Sequence, residues 1–233
     1  MSDLSRPDFV PAPRPADEQQ RQAALDGMRV AYTPSEERFD RLVRMACRFL
    51  KVPIATVTLI DEEVQWFKAR EGLLKGEDER AVSFCAHTIL HAEPLVVPDA
   101  RDDPRFAGNP LVTGEPFIRF YAGHPIQAPD GSHIGTLCVI DREPRALAAE
   151  EAEVLRDLAA MTESELRVSS LSQAQSELIA ECDTLRRKAM LDGLTGLWNR
   201  QAAFEVLERE MLRADRLHLP VAVILLDIDH FKA

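Results

Sequence analysis

One long stretch without helix-breaking residues limits what this chain can fold into. Residues 145–190 contain neither proline nor glycine, the two residues that most destabilise a helix interior. One heptad position within the stretch is filled, in order, by Val154, Met161, Val168, Gln175, Cys182 and Ala189. In the second half, the partner position holds Leu171, Leu178 and Leu185. A seam kept over this many turns needs a second helix to cover it, so the pattern predicts a parallel two-stranded coiled coil and a homodimer through residues 146–191.

The first half of this predicted helix has a less regular seam. Leu158, four residues after Val154, takes the partner role there, and Gln175 and Cys182 weaken the later turns. A weakened seam suits a helix that changes register. The alternative, a single helix folded back on the preceding domain, accounts for about Leu147–Leu158.

The region before the helix alternates between helical and strand patterns. Thr33-Pro34-Ser35-Glu36 places a hydroxyl, a proline and a glutamate as in a capping box, so a helix is predicted to start at Thr33 and to end before Pro53. Its core-facing stripe is formed by apolar residues at helical spacing, namely Phe39, Leu42, Val43, Ala46, Phe49 and Leu50.

β-branched runs then predict the strands. Residues 54–60 and 64–69, separated by an acidic turn, read as a hairpin, and residues 117–126 and 134–141 as a second pair. We also expect a short strand at 95–97 and a short helix at 83–91 capped by Ser83, with loops at 72–82 and 99–116. This order predicts an α+β domain with an antiparallel sheet flanked by helices.

The N-terminal segment is rich in proline. Pro7, Pro11, Pro13 and Pro15 fall within residues 1–19, which have almost no apolar periodicity. We expect this segment to be a disordered or extended arm, with a short helix from Asp17 to about Met28.

Three motifs in the middle of the chain carry a family resemblance. Residues 84–90 (FCAHTIL), 99–106 (DARDDPRF) and 120–141, which begin FYAG and end GTLCVID, look like a GAF domain, and the match covers residues 20–145. GAF domains are sensory modules that often precede cyclases and kinases. The resemblance implies a pocket for a small molecule, which the sequence does not identify. Candidate lining residues are Trp66, Phe67, Phe106, Phe120 and Tyr121, with Arg119 or His124 as polar anchors. Any single one of these aromatic residues would equally suit the hydrophobic core.

The cofactors that some relatives carry fit less well. Cys85 and His87 invite a bilin or haem interpretation, but Ala86 separates them and a lone histidine is more often structural than an axial ligand. We treat Cys85 as a packed thiol. The Asn-Lys-x-Asp type of motif found in cyclic-nucleotide-binding GAF domains is absent from the sequence.

The last part of the sequence places acids after a predicted strand. Val221–Leu226 is a short apolar run, and Asp227 and Asp229 follow it. Carboxylates at the end of a buried strand are a common way to hold Mg²⁺. The same acids would also suit the end of a strand and the start of a turn.

The end of the sequence carries a second family resemblance. It contains residues 192–200 (DGLTGLWNR), a following amphipathic helix and residues 227–232 (DIDHFK). Together these resemble the start of a GGDEF domain. This is the family of diguanylate cyclases, which make cyclic di-GMP from two GTP. The resemblance implies a truncated α/β unit over residues 192–233, with Mg²⁺ on Asp227 and the Ile228 carbonyl. His230, Phe231 and Lys232 would lie by the GTP triphosphate. The family's guanine-reading residues and GG(D/E)EF loop would fall beyond Ala233, so no catalytic set is complete and we expect the polypeptide to lack cyclase activity.

Charge and cysteine usage bound the remaining partners. A net charge of −11 disfavours nucleic acid and anionic membranes. No apolar run approaches the ~20 residues of a spanning helix, and no signal peptide is recognisable. The four cysteines lack CxxC pairing, which argues against zinc and favours reduced, partly buried thiols in a cytoplasmic protein.

Two functions are consistent with these observations. The first is a GAF sensor that controls a diguanylate cyclase through a dimeric coiled coil. The second is a stand-alone GAF protein that binds a ligand or dimerises and carries a vestigial cyclase segment.

Overall fold

A six-stranded antiparallel sheet forms the centre of the first part of the chain. The computed structural model describes residues 9–224 and 226. The strand order is β3-β2-β1-β6-β5-β4. The strands are β1 (Ile54–Ile60), β2 (Val64–Glu71), β3 (Glu77–Glu79), β4 (Leu95–Val97), β5 (Phe120–Gln127) and β6 (His133–Asp141). The helices are α1 (Glu18–Met28), α2 (Glu37–Leu50), α3 (Phe84–Thr88), α4 (Pro110–Thr113), α5 (Ala149–Met190) and α6 (Arg200–Leu217).

The sheet is buried on both faces. On one face, apolar residues of α1, α2 and the first turns of α5 form a core with the strands. On the other face, α3, α4 and the connection between β4 and β5 form a second core. All seven residues of β1 are buried, because this central strand contributes to both cores. The predicted α+β class and antiparallel sheet are therefore confirmed.

The predicted hairpins are present, and one strand, β3, was not predicted. β1 pairs with β2, and β5 with β6, antiparallel as predicted. The predicted loop at 72–82 contains β3, which pairs with the start of β2, and a short 3-10 helix, Arg80–Val82. β3 reads Glu-Asp-Glu, so it lacks the apolar alternation that reveals a half-buried strand.

The predicted capping box does not form. α2 begins at Glu37, and Thr33 instead donates a hydrogen bond to the Val30 carbonyl and accepts one from Lys68 at 2.5 Å. Lys68 is the extra residue of a bulge in β2, and its fully buried ammonium group lies 2.6 Å from a carboxylate oxygen of Glu36. Thr33 and Glu36 therefore neutralise and solvate a buried cation instead of capping a helix. Phe49 was also wrongly assigned to the core, since its side chain is 60% exposed.

A second buried charge cluster joins α1 to the sheet. Arg21 is almost fully buried and donates a hydrogen bond to the Ile60 carbonyl at 2.6 Å. Glu18 accepts hydrogen bonds from both Arg21 and Arg80. Burial raises the pKa of the Glu18 carboxyl, but the hydrogen bonds from the two guanidinium groups outweigh it and lower the pKa to about 2. The cluster therefore stabilises the fold only while Glu18 is ionised.

Glu18→Gln is expected to reduce the free energy of unfolding by about 3 kcal/mol at pH 7, because it leaves two buried guanidinium groups without their anion. The folded pKa of Glu18 lies below its unfolded value of about 4.3. The stabilisation is thus fully present above about pH 4.3 and is lost as the pH falls towards 2. Urea unfolding is followed by Trp66 fluorescence in proteins that carry Trp198→Phe. The difference in unfolding free energy between the Glu18 and Glu18→Gln proteins should shrink as the pH falls from about 4.3 towards 2.

The matched control is Glu62→Gln, which removes an exposed carboxylate near the same cluster. We expect this substitution to change the free energy of unfolding by less than about 0.5 kcal/mol, both at pH 7 and at acidic pH. Equal effects of the two substitutions at pH 7 would contradict the assignment of Glu18 as the shared anion.

The first turns of α5 pack on the sheet through a different stripe from the predicted seam. Leu155, Leu158, Thr162 and Leu166 are buried, whereas Met161 and Val168 on the heptad position are about half exposed. The sheet thus covers α5 as far as Leu166, further than the predicted alternative of 147–158. The heptad position at Met161 and Val168 is therefore still available to a second helix.

In the second half of α5, the apolar seam residues face outward. The exposed fractions are 70% for Leu171, 61% for Leu178 and 58% for Leu185. Cys182 is exposed as well, so the expectation of partial burial is wrong for this thiol. Whether a second copy of the chain covers this face stays a prediction.

The chain divides into two units between Gln173 and Ala174. In the second unit, α5 ends at Met190, a tight turn follows, and α6 runs from Arg200 to Leu217. The predicted strand Val221–Leu226 is not formed over residues 221–224 and 226, since a strand requires a neighbour and none pairs with these residues. In the part of the chain that the structure covers, no helix has both the length and the apolar character needed to cross a bilayer.

Candidate functional site

A cavity of about 450 Å³ lies between the sheet and the connection from β4 to β5. This volume is within the range of small-molecule pockets. Its walls are mainly apolar, from residues that include Phe67, Leu73, Leu74, Phe84, Leu111, Pro116, Ile118, Tyr121 and Ile140. Charged groups also line it, namely Lys75, Asp78, Glu115 and Arg142. An apolar chamber with a few charged groups suits a small, partly apolar molecule with a polar end.

Two thiols and two hydroxyls meet at one wall of this cavity. The sulfur of Cys85, on α3, lies 3.7 Å from the sulfur of Cys138, on β6. The Tyr121 hydroxyl is 3.5 Å from the Cys85 sulfur, and the Thr56 hydroxyl is 3.1 Å from that of Cys138. All four residues line the cavity. This polar cluster is the feature of the cavity most able to take part in chemistry.

Local structure explains how these groups meet. α3 begins at Phe84 because the Ser83 side chain accepts a hydrogen bond from the Ala86 amide, as the sequence predicts, and this places Cys85 in the first turn. Tyr121 reaches Cys85 by lying across Gly123, where an added Cβ would be only 2.2 Å from the Tyr121 hydroxyl. A glycine at this position therefore gives the tyrosine its path to the thiols.

The two thiols differ in their acidity. Burial raises the pKa of Cys85, but hydrogen bonds from its neighbours, led by the Cys138 thiol, outweigh it and lower the pKa to about 7. The pKa of Cys138 moves well above its usual value, because the hydrogen bond to Cys85 holds its proton and burial disfavours a second thiolate. Burial likewise raises the pKa of Tyr121. One thiolate beside one thiol is therefore the favoured ionised state of the pair.

The predicted pocket residues divide between several environments. Phe67 and Tyr121 line the cavity. Trp66 and Phe120 lie on the opposite face of the sheet, in the core beneath the long helices. Phe106 is stacked on Phe84 with ring centroids 3.9 Å apart, behind the cavity wall.

The predicted polar anchors and His87 are engaged elsewhere. Arg119 forms a bidentate ion pair with Asp99, and His124 contacts the Pro125 carbonyl at 2.9 Å. The His87 ring contacts the Val10 carbonyl at 2.9 Å, and burial lowers its pKa. Val10 belongs to the predicted arm, and its amide donates to the Arg105 carbonyl.

Sequence reasoning did not place Cys138, Leu73 or Arg142 in the pocket. Cys138 and Tyr121 share the GAF-like motifs, but the pairing of Tyr121 with Ile140 and of Gly123 with Cys138 is visible only in the register of β5 and β6. Leu73, which follows β2, and Arg142, which follows β6, come together here through loops whose path no periodicity reveals.

The segment that resembles the start of a GGDEF domain forms a self-contained turn. The Asp192 carboxylate accepts hydrogen bonds from the Leu194 and Thr195 amides and from the Thr195 hydroxyl at 2.8–3.2 Å. Gly196 has φ +67°, a conformation that favours glycine. The Asn199 side chain caps α6 by accepting from the Ala202 amide. These motif residues therefore build the turn between two helices.

The predicted metal and phosphate residues, Asp227, Ile228, His230, Phe231 and Lys232, lie outside the described residues. Over residues 9–224 and 226, no three His, Cys, Asp or Glu side chains cluster as a metal site would require.

Comparison with known proteins matches both parts of the chain. The model of the GAF domain family matches residues 34–166. The model described as "Diguanylate cyclase, GGDEF domain" matches residues 189–233.

A cyclic di-GMP phosphodiesterase of Pseudomonas aeruginosa is 38% identical over 213 residues, which are 91% of this chain and 34% of that protein. Diguanylate cyclase DgcP of Escherichia coli K12 is 34% identical over 119 residues, 49% of this chain and 33% of that protein. The chain thus spans about a third of the length of these relatives. Among solved structures, the GAF domain of a phosphoenolpyruvate-protein phosphotransferase from Coxiella burnetii is 20% identical, with a TM-score of 0.49, over 67% of this chain and 97% of that one.

The GAF family model covers more than half of the chain and includes the whole of the sheet, the cavity and the thiol pair. The protein belongs to the GAF domain family, and its residues from 189 onward match part of the GGDEF domain.

Proposed function

We propose that this chain is the sensory and transmitting part of a cyclic di-GMP signalling protein. In this proposal, the GAF domain controls a diguanylate cyclase unit through a dimer of α5. The observation that carries the proposal is the order of the parts: a cavity-bearing GAF domain, a 42-residue helix and a GGDEF segment follow one another in one chain. The phosphodiesterase relative aligns over 91% of this chain, an extent that requires all three parts.

The cyclase reaction explains why a dimeric helix would be the control point. Two GTP molecules must approach each other for each 3′-hydroxyl to attack the other α-phosphate, so two catalytic units must face one another. Two paired α5 helices would bring two units together. Their register would then set whether the units align.

The metal would be held at the start of the GGDEF unit. By resemblance, Asp227 and the Ile228 carbonyl would hold Mg²⁺, and the backbone at His230 and Phe231, with Lys232, would lie by the GTP triphosphate. Oxygen ligands suit this hard cation, which when bound neutralises phosphate charge. Lys232 would add a positive charge to the same phosphates.

A molecule in the GAF cavity can control the helix only if it binds one arrangement of α5 better than another. The structure offers a physical link for this within the first unit. The Ser169 hydroxyl on α5 donates to the Glu36 carboxylate, which is paired with the buried ammonium group of Lys68 on β2. The neighbouring Phe67 lines the cavity. A ligand that displaces β2 would therefore disturb the contact that holds α5 beside Glu36.

The second candidate is a protein that degrades cyclic di-GMP. It is favoured by the phosphodiesterase relative, which matches this chain over a longer alignment than the E. coli cyclase does. In that case the GGDEF segment would belong to a regulatory unit. A stand-alone GAF protein with a vestigial cyclase segment is the third candidate.

The test uses a protein in which residues 1–233 are expressed together with whatever the coding sequence encodes after Ala233. When this protein is incubated with GTP in the presence of Mg²⁺, we expect it to form cyclic di-GMP, which chromatography measures. Asp227→Asn should reduce the rate at least about 100-fold, since it removes a carboxylate from the metal. Glu208→Gln, at an exposed carboxylate of α6, is the matched control and should retain the wild-type rate. Consumption of cyclic di-GMP without synthesis would favour the second candidate, and neither activity would favour the third.

A further inference from the structure

The thiol pair in the cavity wall is not used by the proposed signalling mechanism. Cys85 and Cys138 are far apart in sequence, yet their sulfurs are in van der Waals contact at 3.7 Å. A disulfide needs about 2.05 Å, so each sulfur would have to move by only about 1 Å. Both residues line the cavity, which gives a small molecule a route to them even though their side chains are buried in the fold.

The surrounding groups favour reaction at one of the two sulfurs. The Tyr121 hydroxyl points a donor at the Cys85 sulfur at 3.5 Å, and Tyr121 is held in turn by the Thr88 hydroxyl at 2.7 Å. The Thr56 hydroxyl contacts the Cys138 sulfur. Thr136, two residues before Cys138 on the same face of β6, adds a buried hydroxyl, which is among the groups that lower the pKa of Cys85. Hydroxyl groups at these distances can donate hydrogen bonds to a thiolate, which is the reactive form of a cysteine.

We propose that Cys85 and Cys138 form a redox-active pair, which a small hydroperoxide entering the cavity oxidises to a disulfide. The Cys85 thiolate attacks one peroxide oxygen, and the O–O bond breaks. The leaving oxygen takes a proton and departs as water or an alcohol, and Cys85 becomes a sulfenic acid. The Cys138 sulfur then attacks Cys85, the S–S bond forms, the S–O bond breaks and water leaves with the Cys138 proton. Two thiols lose two electrons, and the peroxide gains them.

The acidity of the two groups agrees with these roles. Cys85, whose pKa is lowered to about 7, supplies the nucleophilic thiolate near neutral pH. Cys138 keeps its proton and acts second. A disulfide would tie α3 to the central strand β6 and replace two thiols of the cavity wall with an S–S bond, so the oxidised and reduced proteins would present different surfaces to a ligand.

The test uses residues 1–233 with Cys47→Ser and Cys182→Ser, which leave Cys85 and Cys138 as the only thiols. The folded protein is treated with hydrogen peroxide, quenched in acid, alkylated after unfolding and digested without reductant. Mass spectrometry should find the two cysteine peptides joined, with the loss of two hydrogens. Linkage should be at least about tenfold faster than in the same protein unfolded in urea, because the fold holds the sulfurs together.

Two further variants assign the order of events. With Cys138→Ser, dimedone should trap a sulfenic acid on Cys85. With Cys85→Ser, trapping on Cys138 should be at least about tenfold slower, because burial still raises the pKa of Cys138 and the Tyr121 hydroxyl is directed at position 85. The proposal is overturned if Cys85 and Cys138 are both still alkylated after the folded protein has been treated with peroxide and then unfolded. It is also overturned if the disulfide forms no faster in the folded protein than in the unfolded chain. Either result leaves the proposed signalling function intact, since that function does not require the disulfide.

Discussion

Leu178→Glu is expected to abolish the dimer that we propose for α5. Leu178 lies in the middle of the seam of α5, and the structure leaves its side chain 61% exposed on the surface that a second helix would cover. In a parallel dimer, two introduced carboxylates would face each other without counterions. Burying an unpaired charge costs roughly 3 kcal/mol or more, so the dissociation constant should rise at least about 100-fold. Sedimentation velocity over a range of concentrations measures the change.

Ala180→Glu is the matched control for this effect. Ala180 is two residues further along α5, on the outer face of the predicted coiled coil, and is exposed as well. The same charge there should leave the dimer unchanged. A Leu178→Glu protein that dimerises as tightly as the Ala180→Glu protein would show that this face of α5 is not the interface.

Gly135→Ala is expected to reduce the free energy of unfolding of the GAF domain by about 3 kcal/mol or more. Gly135 lies on β6 opposite Leu59 of β1. A Cβ at Gly135 would be 2.1 Å from the Thr58 carbonyl oxygen and 3.1 Å from the Leu59 Cα, so the clash is with backbone at the centre of the sheet. The two strands would have to separate, and overpacking that moves backbone lies at the costly end of such substitutions.

Gly27→Ala provides the matched control. Gly27 lies within α1, and an added Cβ there meets nothing within 4 Å. Alanine should therefore stabilise the domain by up to about 1 kcal/mol through its better helix propensity. Trp66 fluorescence in a Trp198→Phe background reports the GAF domain alone, since the chain has two tryptophans. Unchanged stability of the Gly135→Ala protein would contradict the close approach of β1 and β6.

Local patterns predicted most of the sheet because its strands are rich in β-branched residues and end at turn residues. The hairpin of β1 and β2 and the pairing of β5 with β6 follow from such runs. β3 could not be found in this way, since it is an edge strand of three charged residues. It is a strand because it pairs with β2, and not because it buries apolar side chains. The helix start at Thr33 failed for a related reason. A distant residue, Lys68, competes for the groups that would have formed the cap.

The pocket was harder to predict, because the sheet is buried on both faces. Trp66 and Phe67 are adjacent aromatics in β2, and period-two alternation must send them to opposite cores. Nothing in the sequence says which core contains the cavity. Phe67 lines it, while Trp66 packs against the core on the other face of the sheet. The thiol pair was missed because Cys85 and Cys138 meet only through the position of α3 over β6.

The helix seam shows the same limit. The heptad positions gave a continuous stripe through Met161, yet the sheet of the same chain covers a neighbouring stripe through Leu155 and Leu166. A sequence pattern cannot tell whether an apolar residue packs on its own domain or on a second copy of the chain, because both contacts bury apolar side chains at the same helical spacing.

Oxidative cross-linking at Cys182 tests the central claim most directly. The claim is that α5 pairs in parallel and in register with α5 of a second copy. Cys182 is exposed and lies on the seam, so its two copies would face each other in such a dimer. Mild copper–phenanthroline oxidation should give a covalent dimer on a non-reducing gel, linked through Cys182. In a Cys182→Ser protein that carries Ala180→Cys on the outer face, the dimer should not be cross-linked. No covalent dimer from wild type, or equal cross-linking from both positions, would contradict the account.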